Sequence, residues 1–201
     1  MNYFVTGIDT DSGKTLVSAI LCEALGYDYW KPIQAGLPRD SETVQYLTSK
    51  VTIHPEAYLL KTPASPHASA KLDNITIALE KIQVPNTANG LVIEGAGGCL
   101  VPLNDQDFVI DLAEKFNSEI ILVADLYLGS INHSLLTVNL LSSRKYPVRG
   151  IIFNGRSNPE SERIILQHSG YRCLLHIDRE NAVSNEMVKR YAEQLNEHWN
   201  D

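Results

Sequence analysis

Positive charge is scarce in this sequence. It holds 17 Lys and Arg against 24 Asp and Glu, a formal net charge of -7. Such a surface repels polyanions, so neither nucleic acid nor a membrane surface is expected as a partner, although a local basic pocket for a small anion is allowed. Long apolar runs are missing, and none could span a bilayer. Cysteine is sparse. Cys22, Cys99 and Cys173 are widely spaced, which gives neither a disulfide framework nor a zinc-ligand pattern. His54, His67, His168, His176 and His198 also lack metal-ligand spacing, and no nucleophile motif or Ser-His-Asp set is legible. The first residues carry no basic leader or cleavage-like segment. A reducing, cytoplasmic setting is the expectation.

What is present points to a packed α/β chain. With 201 residues, 44% hydrophobic and 20% charged, one domain spanning 1–201 is expected. Short apolar runs at 3–5, 28–33, 90–94, 119–124, 148–154 and 171–177 predict strands. Their apolar character is continuous, not alternating, which predicts burial on both faces. Helical patterns at 15–25, 40–48, 74–82, 108–116, 130–143, 159–170 and 184–198 separate them, and 63–66 reads as a loop. The alternation predicts a mostly parallel twisted sheet flanked by helices on both faces, as in P-loop nucleotide-binding proteins. In such sheets ligands sit beyond the carboxyl ends of the strands, so the residues following each strand matter most.

The first strand leads into Gly7-Ile8-Asp9-Thr10-Asp11-Ser12-Gly13-Lys14-Thr15 and then a helix. Gly13-Lys14-Thr15 at a strand-to-helix turn is a phosphate-loop arrangement. Backbone N–H groups cradle phosphates, the Lys14 ammonium neutralises them, and the Thr15 hydroxyl reaches a magnesium ion. The glycine expected at position 8 lies one residue earlier, at Gly7. Asp9 and Asp11 read equally as turn or capping residues.

Four other strand ends carry candidates. Glu94, followed by Gly95-Ala96-Gly97-Gly98, places a carboxylate where magnesium can be held, in a turn open to close ligand approach. Lys31 lies within an apolar strand, so either it pairs with an anion in a cleft or it points to solvent at an edge. Asp40 is an N-cap or a second magnesium-side carboxylate. After the 119–124 run, the N–H groups of Ser130, Ile131 and Asn132 open a helix and suit a carboxylate; Ser130 as a plain N-cap is the alternative. Asn154 reads as a turn residue or as a partner for a nucleobase edge.

Together these segments resemble the dethiobiotin synthetase family. The resemblance rests on the 6–15 loop, Lys31-Pro32-Ile33-Gln34-Ala35-Gly36, Ser65-Pro66-His67, Val92-Ile93-Glu94-Gly95-Ala96-Gly97-Gly98, Leu128-Gly129-Ser130-Ile131-Asn132-His133 and Phe153-Asn154. It implies an ATP- and Mg2+-dependent ligase that converts 7,8-diaminononanoate and CO2 to dethiobiotin, ADP and phosphate in biotin synthesis. It implies that Asp11, Ser12, Gly13, Lys14 and Thr15 hold the nucleotide phosphates, with Glu94 and Gly97 also on the nucleotide side and Asn154 on the adenine. Thr15, Asp40 and Glu94 would hold Mg2+. Lys14 and Lys31 would act at the reacting carbamate and γ-phosphate. Thr10, Lys31, Ala35 and Gly97 would meet the substrate. Ser130, Ile131 and Asn132 would capture its carboxylate from the other subunit of a homodimer.

The chain departs from the family pattern at three places. Ala35 stands where Ser or Thr is common, Ile8 where Thr is common, and Leu175-His176-Ile177-Asp178 lacks an Ile-Pro beside the base, which leaves base selectivity open. Three other functions use related sequences: a switch ATPase of the positioning or partition type, a small-molecule kinase, and a nucleotide-binding paralogue without turnover. The first carries an extra lysine where Asp9 stands here.

Overall fold

A computed structural model describes residues 1–199. Nine strands and seven helices follow in order: β1 (Asn2–Gly7), α1 (Lys14–Leu25), β2 (Asp28–Trp30), β3 (Ile33–Ala35), α2 (Asp40–Leu47), β4 (Ile53–His54), β5 (Tyr58–Leu60), α3 (Pro66–Leu72), β6 (Leu91–Gly98), α4 (Asp111–Lys115), β7 (Glu119–Asp125), α5 (Ser130–Ser143), β8 (Val148–Asn154), α6 (Pro159–Ser169), β9 (Cys173–Ile177) and α7 (Asn185–His198). Seven strands form one sheet in the order β4-β2-β6-β1-β7-β8-β9, and β3 pairs with β5 in a second, two-stranded sheet. Every strand pairing is parallel.

Alternation along the central strands fills both faces, as the continuous apolar runs predict. Tyr3, Val5 and Val92 pack with α1, α2 and α7, whereas Phe4, Ile93 and Phe153 pack with residues of α4, α5 and α6. Glu94 follows Val92 by two residues and so projects to the α1 face.

The predicted 28–33 strand is two strands in different sheets. Pro32 has no N–H to continue a ladder; β2 pairs with β6, and β3 turns away to β5. The predicted helix 74–82 is absent apart from a 3-10 turn at Leu79–Lys81. Asn74 takes a positive φ of 56° at the end of α3, and Ile77 and Ile82 anchor the segment in the core at a five-residue spacing that no helix face offers. The predicted helix 108–116 shortens to α4. Phe108 is held in a bridge to Pro102, and tight i to i-3 bonds run from there to Ala113. The 63–66 loop runs directly into α3, with Pro66 in the first helical turn, where its missing N–H is harmless. Strands β4 and β5 are too short to leave a pattern. The predicted strand 90–94 extends as β6 to Gly98, four residues further, and the remaining predicted elements agree within two residues, the last strand starting at Cys173 instead of 171.

The amino end of β2 is tied down far from the phosphate loop. Asp28, nearly buried, accepts hydrogen bonds from Thr87 Oγ1 (2.6 Å), Asn89 Nδ2 (2.9 Å) and His54 Nε2 (3.0 Å). Burial alone would raise its carboxyl; the three donors outweigh it and hold it below the ordinary range. Its stabilising effect is therefore present above the ordinary carboxylate value and lost as pH falls through the lowered one. Asp28→Ala strands three donors, and we expect a loss of about 2–4 kcal/mol in urea unfolding at neutral pH, shrinking in acid.

Candidate functional site

The phosphate loop folds around its own backbone. Ser12, fully buried, accepts from the Asp9 N–H and donates to the Asp9 carbonyl, both at 2.9 Å. Gly13 has φ 91°, and a Cβ there would lie 2.3 Å from Asn154 Nδ2. Asn154 donates that amide to the Ser12 carbonyl at 2.9 Å, so it braces the loop from β8. Ile8 packs against the core and its N–H continues the pairing with Val123 of β7. The side chain there is strand packing, and Gly7 takes the tight turn instead: a Cβ on it would lie 2.8 Å from the Asp9 carbonyl oxygen.

Beyond the loop opens a cleft of about 650 Å³. Thr10, Asp11, Gly13, Lys14 and Thr15 line it from the loop; Lys31, Ala35 and Asp40 from the segments after β2; Glu94 and Gly97 from β6. Gly97 has φ 75°, and a Cβ there would press on Val101 at 2.8 Å. Sequence reasoning missed Pro63, Ala64 and Pro66, which form the far wall. It also missed Gln34, whose Oε1 accepts from the Asp40 N–H at 3.1 Å and fixes the start of α2.

The centre of the cleft is a buried charge cluster. Glu94 is 1% exposed. Its Oε1 accepts from Lys31 Nζ and from Thr15 Oγ1, each at 2.9 Å, and its Oε2 accepts from Tyr29 Oη at 2.9 Å. Lys31 Nζ is also paired directly with Asp40 Oδ2. The cleft reading of Lys31 is thus the correct one. Burial would raise the Glu94 carboxyl, but Lys31 above all, with Lys14 and Tyr29, holds it below the ordinary range. Burial would lower the Lys31 ammonium, but Glu94 and Asp40 hold it above its ordinary value. Lys14 moves the other way. Burial lowers it against the pull of Glu94, and its Nζ donates to the carbonyls of Asp9 (2.9 Å) and Thr10 (2.7 Å).

Two carboxylates and a hydroxyl are hard oxygen donors suited to a small divalent cation. Among the described residues no group of three or more His, Cys, Asp and Glu side chains could hold a metal by itself.

Ser130, Ile131 and Asn132 are not brought into this cleft within one chain. They open α5 on the other side of β1, after β7. Ile131 and Asn132 are exposed. Ser130 Oγ is buried without a hydrogen-bond partner. Helices α1 and α5 both start at a left-handed glycine, Gly13 and Gly129, with no side-chain cap and no acid in the first turn. By contrast α6 and α7 are capped by Asn158 and Ser184. The phosphate-loop helix therefore keeps its first N–H groups and positive dipole end open to an anion; in α5 the Ser130 N–H donates to the Tyr127 carbonyl at 3.0 Å, which leaves the N–H groups of Ile131 and Asn132 for one.

Loop, sheet order and charged cleft define a P-loop nucleotide-binding domain, and the AAA domain family model matches residues 1–187. The fold is shared with a ParA-family ATPase from Chlorobium tepidum (TM-score 0.59, 13% identity, 98% of this chain and 96% of that one). It is shared also with the septum site-determining protein MinD of Pyrococcus horikoshii, solved with Mg-ADP (TM-score 0.57, 13% identity, 99% and 93%). Such distant likeness speaks for architecture alone. Sequence relatives are far more similar: the ATP-dependent dethiobiotin synthetases of Cytophaga hutchinsonii (56% identical, 98% of both chains), Christiangramia forsetii (45%, covering 96% and 95%) and Paramagnetospirillum magneticum (43%, covering 90% and 89%). The chain belongs to the ATP-dependent dethiobiotin synthetase family.

The Glu94–Lys31 pair couples the cleft to folding. Its stabilising effect is present above the ordinary carboxylate value of 4.5 and fades as pH falls through the depressed one. Glu94→Gln removes the charge but keeps the shape. We expect a loss of about 1–3 kcal/mol at pH 7 and a flatter acid limb in denaturation measured against pH.

Proposed function

We propose that this chain, as a family member an ATP-dependent ligase of biotin synthesis, closes a cyclic urea on 7,8-diaminononanoate in its phosphate-loop cleft. One amine, unprotonated, adds to CO2 and loses a proton to give a carbamate. A carbamate oxygen attacks the γ-phosphorus and ADP leaves, giving a carbamic-phosphoric anhydride. The second amine attacks the anhydride carbonyl, expels phosphate and loses its proton, which completes dethiobiotin.

The observation that carries this reading is the convergence of Lys14 and Lys31 on one cleft that also holds Glu94, Asp40 and Thr15. The residues act by position and charge. Lys14 and the open N–H groups of α1 bind the phosphate tail. Lys31, fully charged at neutral pH, faces both the carbamate and the transferring phosphoryl group. Thr15, Asp40 and Glu94 would hold Mg2+, which when bound offsets charge on the phosphate oxygens. Thr10, Ala35 and Gly97 border the substrate, and with Ala35 apolar the hydroxyl common in the family is missing there. Asn154 spends one amide hydrogen on the loop, and its Oδ1 stays available to a base. Ser130, Ile131 and Asn132 bind the substrate carboxylate of the neighbouring subunit. This is supported by their distance from their own cleft and by the exposed apolar residues around them, Leu128, Ile131 and Leu136. A carboxylate held remotely supplies binding energy without touching the reacting atoms.

Purified protein incubated with diamine, bicarbonate, Mg2+ and ATP is expected to yield the cyclic urea by mass spectrometry. Each omission should abolish it; a phosphorylated stable product, or hydrolysis independent of the diamine, would overturn the reading. Lys31→Ala is expected to lower kcat/KM by roughly two to four orders of magnitude, equivalent to about 3–5 kcal/mol. Glu94→Gln should raise the Mg2+ concentration needed for half-maximal turnover, and an unchanged titration would remove Glu94 from the metal site.

A further inference from the structure

Tyr29 carries none of the roles assigned so far. It sits in β2 on the α1 face, fully buried, paired across the sheet with Val92. Its hydroxyl donates to Glu94 Oε2 at 2.9 Å. The other oxygen, Oε1, carries both contacts that face the cleft, Lys31 and Thr15. The carboxylate is thus divided: one oxygen is held against the core by a phenol, and one is offered to the cleft.

We propose that Tyr29 sets metal selectivity by keeping Glu94 a one-oxygen ligand. The proposal rests on the reading that Glu94 serves the divalent ion. Mg2+ accepts six oxygens in a compact octahedron and takes carboxylates through one atom. Ca2+ is larger, takes six to eight oxygens and readily accepts both atoms of a carboxylate. A phenol on Oε2 blocks two-atom coordination without occupying the cleft. Tyr29 is fitted to the task because its hydroxyl is buried with Glu94 Oε2 as its hydrogen-bond partner. Its ring is fixed among Val92, Val5 and the residues of α1, so Glu94 cannot turn without breaking that bond. Tyr29 acts through Glu94 and is a positioning residue.

The test uses Mn2+ as a spectroscopic probe of the complex of the full chain with ADP. Mn2+ binding is followed by electron paramagnetic resonance, and Mg2+ and Ca2+ are titrated in as separate competitors. In Tyr29→Phe, Oε2 loses its donor and is free to turn to the ion. The ratio of Ca2+ to Mg2+ affinity is expected to rise at least fivefold over wild type. A ratio unchanged within twofold overturns the proposal, as does an equal weakening of both ions, which would mark Tyr29 as merely structural. If Mn2+ fails to bind wild-type protein with ADP, the metal reading of Glu94 falls first and takes this inference with it. Should Tyr29→Phe not fold, the wild-type chain crystallised with ADP and Ca2+ decides. Coordination through Oε1 alone, with the Tyr29 bond kept, supports the proposal; two-oxygen coordination overturns it.

Discussion

A carboxylate buried to 1% exposure dictates much of the architecture around it. Glu94 stands in β6, one of the two strands flanking β1, on the α1 face, where little water reaches it. An isolated charge there would neutralise itself or unfold its surroundings. It persists because Tyr29 of β2, Lys31 just after that strand and Thr15 of α1 satisfy it. Those donors tie β2, β6 and the start of α1 into one geometry. Beside them Lys14, whose Nζ donates to the carbonyls of Asp9 and Thr10, keeps an ammonium at the phosphate loop.

Much of this was legible beforehand, for identifiable reasons. The central strands β1, β6, β7 and β8 are buried on both faces, and such burial writes an unbroken apolar run that few other structures share. The loop from Gly7 to Thr15 was legible because phosphate binding requires particular residue types at fixed offsets from a strand end. Lys31 drew notice as a charge inside an apolar run, although the sequence left two readings of it open. The structure decides between them only through Asp40 and Glu94, which are remote in sequence from each other.

What stayed hidden is long-range or weakly patterned. Tyr29 looks like any aromatic of a core strand, and nothing local reveals that its hydroxyl meets Glu94 across the sheet. The predicted strand ran through Pro32, and nothing in the apolar run showed that the chain would leave one sheet for another there. Ile77 and Ile82 anchor a largely irregular stretch in the core, so the helical reading of 74–82 failed where tertiary burial decided. The far wall at Pro63, Ala64 and Pro66 offers no chemistry to recognise; it contributes shape alone.

The contrast among helix starts has a thermodynamic consequence. Where Asn158 and Ser184 cap their helices, a side chain of the protein itself takes up a free N–H of the first turn. At Gly13 and Gly129 no side chain does so. For those two termini a bound anion would be the missing piece of secondary structure, and ligand occupancy and conformational stability there would become one quantity measured in two ways. On the proposed function, nucleotide and carboxylate would be guests that finish the fold, each tightening the turn that receives it.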